Sequence, residues 1–176
     1  MKCSIISAFV ALVSLGQAFD IPEAAPDGTY MVAMDAEGNA LSEPTLIAAP
    51  VSAKRSRSFG AQLDARSLPN PQAGCEGHWM NNNDYYSVVT SFKDACQGNT
   101  VPPNWAYYAK YGSAVVYMCN YGGNNPCNAG EFQDSMNLLN SNCASVGAGW
   151  VLIQTWKKGY GRQNTGGQIC SWHQNV

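Results

Sequence analysis

The chain has 176 residues, with 10 Lys/Arg against 12 Asp/Glu and a formal net charge of −2. Charged residues make up 12 % of it, against roughly 25 % in ordinary soluble proteins, so asparagine, glycine, serine and tyrosine carry much of the polarity. That composition argues against a membrane-disrupting agent, which depends on a much more basic surface, and it leaves few sites for trypsin-like proteases.

The first 18 residues read as a secretory signal peptide. Lys2 supplies the positive start, Ile5 to Leu15 the apolar stretch, and Gly16-Gln17-Ala18 a small-residue cleavage site before Phe19. The apolar stretch is shorter than a membrane span needs, and no later segment approaches that length. Cys3 leaves with the signal, which turns seven cysteines into six: Cys75, Cys96, Cys119, Cys127, Cys143 and Cys170. An even number in a small secreted domain reads as a disulfide framework, and fifteen pairings of six cysteines remain open.

Residues 19–55 read as an acidic propeptide. Six acids (Asp20, Glu23, Asp27, Asp35, Glu37 and Glu43) precede the first basic residue, and the composition predicts a disordered or weakly folded segment. The pair Lys54-Arg55 then marks the change to cysteine-rich chain and suits a kexin-type processing protease of the secretory pathway. Arg66 is a second, poorer site. A solvated linker with incidental basic residues is the plainer alternative. Residues 56–73 are expected to be a flexible N-terminal segment, and residues 74–176 a single six-cysteine domain. From Ser56 onward seven Lys/Arg face six Asp/Glu, so the precursor's negative charge belongs to the propeptide.

Two helices are predicted within that domain. Tyr85, Val88, Val89, Phe92 and Cys96 recur at helical spacing behind an Asn82-Asn83 cap and before a Gly98-Asn99 stop. Phe132, Met136, Leu139 and Cys143 form a second stripe, with Asn128 as N-cap and Glu131 placed as its capping-box partner. Both stripes end in a cysteine that is positioned to reach a sheet beneath. Strands are predicted over 113–121, 150–156 and 168–172, with a fourth from 76–80 or 105–108. The expected fold is α+β, two helices packed on a mainly antiparallel sheet and stabilised by disulfides.

The runs GSAVVYMCNYGG, NPC, NAGEFQDSMNLLNSNC, GAGWVLIQTW and GGQIC follow one another between residues 74 and 172. Their order resembles that of fungal killer-toxin-like and necrosis-inducing effector domains, and the whole layout resembles small cysteine-rich secreted proteins of filamentous fungi. The resemblance implies a secreted effector or toxin acting on a host or a competitor. Virally encoded smut killer toxins carry more cysteines, so their channel-blocking activity is not carried over.

Trp156, Lys157, Lys158, Tyr160 and Arg162 lie in a segment, 144–176, that has no acidic residue. Read as a glycine-flanked loop from which Tyr160 projects, they suit phosphate, anionic lipid, glycan or a nucleic-acid backbone. An ordinary solvated hairpin is the alternative. Glu76, His78, Arg162 and His173 would make the acid, base and phosphate-binding set of a small secreted ribonuclease if the two ends of the domain meet; otherwise the histidines are incidental surface residues. The other acids of the domain, Asp84, Asp94, Glu131 and Asp134, are read as capping or solvent-facing. Five tryptophans, at 79, 105, 150, 156 and 172, offer either a carbohydrate platform or core filling, with Trp150 expected inside. No hydrolase elbow, zinc-protease helix, Cys-x-x-Cys or phosphate loop occurs. No metal or cofactor is therefore expected. The leading reading is a non-catalytic monomer that binds a host or competitor protein, glycan or cell-surface target; the alternative is a ribonuclease or other hydrolase.

Overall fold

A computed structural model describes residues 19–50 and 68–171. The signal peptide, the Lys54-Arg55 pair, Arg66 and His173 lie outside the described residues. Chain order is β1 (Gly28–Ala33), β2 (Thr45–Ala48), β3 (Pro71–Trp79), α1 (Asn82–Cys96), β4 (Thr100–Val101), β5 (Trp105–Tyr111), β6 (Ala114–Asn120), β7 (Asn125–Pro126), α2 (Ala129–Cys143), β8 (Gly147–Ile153) and β9 (Lys158–Asn164). Seven strands form one sheet in the order β2-β1-β5-β6-β9-β8-β3, and every neighbouring pair in it is antiparallel. β4 and β7 make a separate two-stranded ladder. The expected α+β architecture is the one observed.

Both helices start on an asparagine whose side chain satisfies amides that have no partner inside the helix. Asn81, one residue earlier than expected, accepts from the amides of Asn83 and Asp84. Asn128 accepts from those of Gly130 and Glu131. The predicted apolar stripes then settle on one face of the sheet. Tyr85, Val88, Phe92 and Cys96 of α1 join Phe132, Met136 and Leu139 of α2 over Tyr107, Val116, Met118, Val151 and Tyr160. Phe92 is the hinge of this packing, 4.5 Å from the Phe132 ring and edge-on to Tyr107 at 5.6 Å. Cys96 pairs with Cys127 in the chain leading to α2, and Cys143 pairs with Cys75 on β3. Of the two helix-ending cysteines, only Cys143 reaches the sheet.

The acidic segment corrects the expectation of disorder. β1 pairs with β5 over six consecutive residues, from Gly28 opposite Lys110 to Ala33 opposite Trp105. Tyr30, Val32 and Met34 alternate inward, and with Phe19 and Ile21 they cover the face of the sheet opposite the helices, over Tyr108, Val115, Tyr117 and Leu152. Burial of an apolar side chain of this size is worth about 1.5–3 kcal/mol. Four of the acids (Asp20, Glu23, Glu37 and Glu43) stay exposed, so charge and burial are separated along the segment. Asp27 accepts from the Lys110 ammonium at 3.3 Å and from the Gly112 amide at 2.9 Å. One-sided charge had hidden a strand of period two.

Across that second face runs a row of directly opposed residues: Tyr30, Tyr108, Tyr117, Gly161, Trp150 and Gly74. Tyr30 and Tyr108 stack with ring centroids 5.1 Å apart. A Cβ at Gly161 would run into the Tyr117 ring, so glycine is what lets that ring lie across its neighbour. Trp150, expected inside, is half-buried here.

Two strand boundaries also move, and one predicted strand does not form. β3 begins at Pro71, so residues 71–73 belong to the sheet rather than to a flexible segment. β8 ends at Ile153 and a single 3-10 turn follows, where a strand to Trp156 was expected. No strand forms over 168–171: Gln168 makes one isolated bridge with Asp20, and Cys170 sits at φ 62° in a disulfide with Cys119.

Candidate functional site

The segment read as a cationic loop is mostly strand β9. Lys157 occupies the left-handed turn that ends the 3-10 helix, at φ 50°, and remains exposed beside half-buried Trp156. After it, Lys158, Tyr160 and Arg162 alternate at period two, and all three point beneath α2. None of them is presented at the surface, because each is at most 2 % exposed. This corrects the expectation that Tyr160 projects from a mobile connection.

Their chemistry is spent on the helix above. Lys158 donates to the Glu131 carboxylate at 2.5 Å and to the Pro126 carbonyl at 3.2 Å, with its ammonium 5.0 Å from the Trp156 ring centroid. Tyr160 donates to the same Glu131 oxygen at 3.1 Å. Glu131 was expected to close a capping box or to face solvent; instead it turns inward from the first turn of α2 to neutralise a buried ammonium. Burial and the adjacent Glu131 charge push the Tyr160 hydroxyl well above its ordinary value, so it serves as a donor.

At the other end of α2, Arg162 makes five hydrogen bonds. Nε donates to the Gly147 carbonyl, Nη2 to that of Ala144, and Nη1 to the Tyr85 hydroxyl, the Asn140 side chain and, at 3.4 Å, the Ser145 carbonyl. These carbonyls belong to the C-cap residue Ala144 and to Ser145 and Gly147 just beyond it, so the guanidinium sits as a counter-charge at the negative end of the helix. α2 has no basic residue of its own in its last turn. Arg162 supplies that charge from the sheet.

The candidate catalytic set does not assemble among the described residues. Glu76 is exposed and His78 half-buried on β3, whose pairing with β8 is interrupted between Cys75 and Trp79. One ring nitrogen of His78 meets the Glu76 carbonyl and the other the side-chain oxygen of Gln163. Arg162 is sealed under α2. Asp84, read as a cap or surface residue, accepts from both the amide and the hydroxyl of Ser113 and so holds the β5–β6 turn to α1. All six cysteines are in disulfides, and among the described residues no group of His, Cys, Asp or Glu gathers as a metal-ligand set.

Among the described residues the large apolar side chains left exposed are Leu41, Leu46 and Ile47 in and before β2, and two aromatic rings. Trp79, at the end of edge strand β3, is 67 % exposed, and Tyr86, in the second turn of α1, is 58 % exposed. Both project from a fixed base. The Trp79 carbonyl accepts from the Asn164 side chain, the Met80 amide donates to the Val146 carbonyl, and Asn81 caps the helix that follows. The other described tryptophans, at 105, 150 and 156, are half-buried on separate elements. Sequence reasoning named Trp79 only as one of five; its exposure follows from an edge position no composition reveals.

Comparison with known proteins finds no matching family model, no matching curated protein and no matching solved structure.

Proposed function

We propose that this is a secreted effector or toxin, processed at Lys54-Arg55, that acts on host or competitor cells by binding a target rather than by catalysis. The observation that supports it best is the burial of Arg162. Arg162, the cation of the candidate catalytic set, is held below the end of α2 by five hydrogen bonds to Tyr85, Asn140, Ala144, Ser145 and Gly147. Three disulfides fit an oxidising compartment, and no helix among the described residues is long and apolar enough to cross a membrane. The contact residues in this reading are Trp79, at the end of edge strand β3, and Tyr86, on the helix that follows, exposed aromatic rings of the kind that dominate binding energy when a partner covers them.

The experiment applies purified protein to candidate host or competitor cells and compares three variants. Trp79→Ala and Tyr86→Ala should keep the thermal unfolding profile and lose most of the cellular effect, whereas His78→Ala should keep both. Activity on RNA or glycans that disappears with His78→Ala would overturn the binding reading in favour of a hydrolase.

A further inference from the structure

β2 and β3 are consecutive strands in the chain yet form opposite edges of the seven-stranded sheet. On one side of the connection between them lies the acidic segment. On the other lies everything it packs against. None of the three disulfides joins the two sides: Cys75–Cys143, Cys96–Cys127 and Cys119–Cys170 all lie within residues 75–170. Cutting the connection would leave each ladder, including all six β1–β5 pairs, with its partners in place.

We infer that residues 19–48 are a permanent strand-donating subunit rather than a discarded propeptide, and that a chain cut between β2 and β3 persists as a two-chain protein. The receiving surface is the β5 edge together with the sheet face formed by Tyr108, Val115 and Tyr117, and its occupant is this chain's own segment. Three independent features favour retention. Phe19, Ile21, Tyr30, Val32 and Met34 are each at most 9 % exposed against that face. Asp27 holds Lys110 and the Gly112 amide at the turn of the β5–β6 hairpin. The segment's beginning is also tied to the far end of the domain, because the Gly166 amide donates to the Ile21 carbonyl at 2.8 Å and the Ile169 amide to that of Phe19 at 3.2 Å. Strand addition of this kind draws affinity from the main-chain ladder and specificity from alternate side-chain pockets. Releasing the segment would leave β5 as an open edge above bare tyrosine rings, an aggregation hazard in any fluid.

The inference rests on the processing reading, and one experiment separates the two. The full chain from Phe19 is treated with a kexin-type protease, its cleavage confirmed by denaturing mass spectrometry, and the product run on native size exclusion. Co-elution of both fragments at the size of the uncut protein, with separation only in denaturant, is the expected result. Val32→Ala should weaken retention about tenfold, as the loss of two buried carbons predicts. A cut chain whose acidic fragment elutes alone overturns the inference. If the protease leaves the chain intact, the processing reading fails, and a site for a different specific protease placed within residues 56–66 puts the same question to the fold.

Discussion

On the helix-covered face each helix ends in a covalent tie, α1 through Cys96–Cys127 and α2 through Cys75–Cys143, and two buried cations on β9 hold the ends of α2. On the opposite face Phe19, Ile21, Tyr30, Val32 and Met34 pack with Tyr108 and Tyr117 and no disulfide holds them, although Cys119–Cys170 lies in the same cluster. One cover is stapled and the other is only packed. A disulfide stabilises chiefly by restricting the unfolded chain, while packing acts only in the folded state, so the two faces should respond differently to cutting, mutation and reduction.

The sharpest break in this contrast is expected at Lys158. Lys158→Met leaves the Glu131 carboxylate buried without its ammonium, which costs about 3–5 kcal/mol when one partner of a buried pair is removed. Chemical denaturation should show that loss, and Glu131→Gln combined with Lys158→Met should recover most of it. A mere surface salt bridge would show less than about 1 kcal/mol in either variant.

A slightly smaller effect is expected on the packed face. Ile21→Ala should cost about 2–5 kcal/mol, the range for deleting a large buried aliphatic side chain. If the acidic segment were a loose leader, the same change would leave the unfolding midpoint where it was.

The gentlest probe is alkaline titration. Burial raises the hydroxyls of Tyr85, Tyr107 and Tyr160 on the helix-covered face and those of Tyr30 and Tyr108 on the other, with Tyr107 pushed up to about 12. A folded-state value above the unfolded one gives stability that is complete below pH 10 and is lost as pH rises toward 12. Tyrosinate absorbance should therefore lag behind that of a free tyrosine and then rise together with unfolding. Early ionisation of two tyrosines would mean that the second face is open to water.

The helices were legible because their signals are local: an asparagine cap, a stripe at period 3.6 and a cysteine at the end, all read within fifteen residues. The sheet was legible wherever apolar residues alternate, as in β6, but its width was not, since strand order depends on pairings distant in the chain. β9 was missed because its inward residues are Lys158, Tyr160 and Arg162, which read as a loop until a helix with unpartnered ends is placed above them. β1 was missed for the opposite reason. Its Tyr30-x-Val32-x-Met34 alternation was present, but six acids with no base outweighed it, although four of those acids are at the surface.

The claim that the acidic segment belongs to the working protein is tested most directly by hydrogen exchange on the chain from Phe19, read peptide by peptide. The amides of β1 should exchange as slowly as those of β5 and β6, rising and falling with them as denaturant is added. Complete exchange of residues 28–33 within the first seconds, while β5 and β6 stay protected, would contradict it.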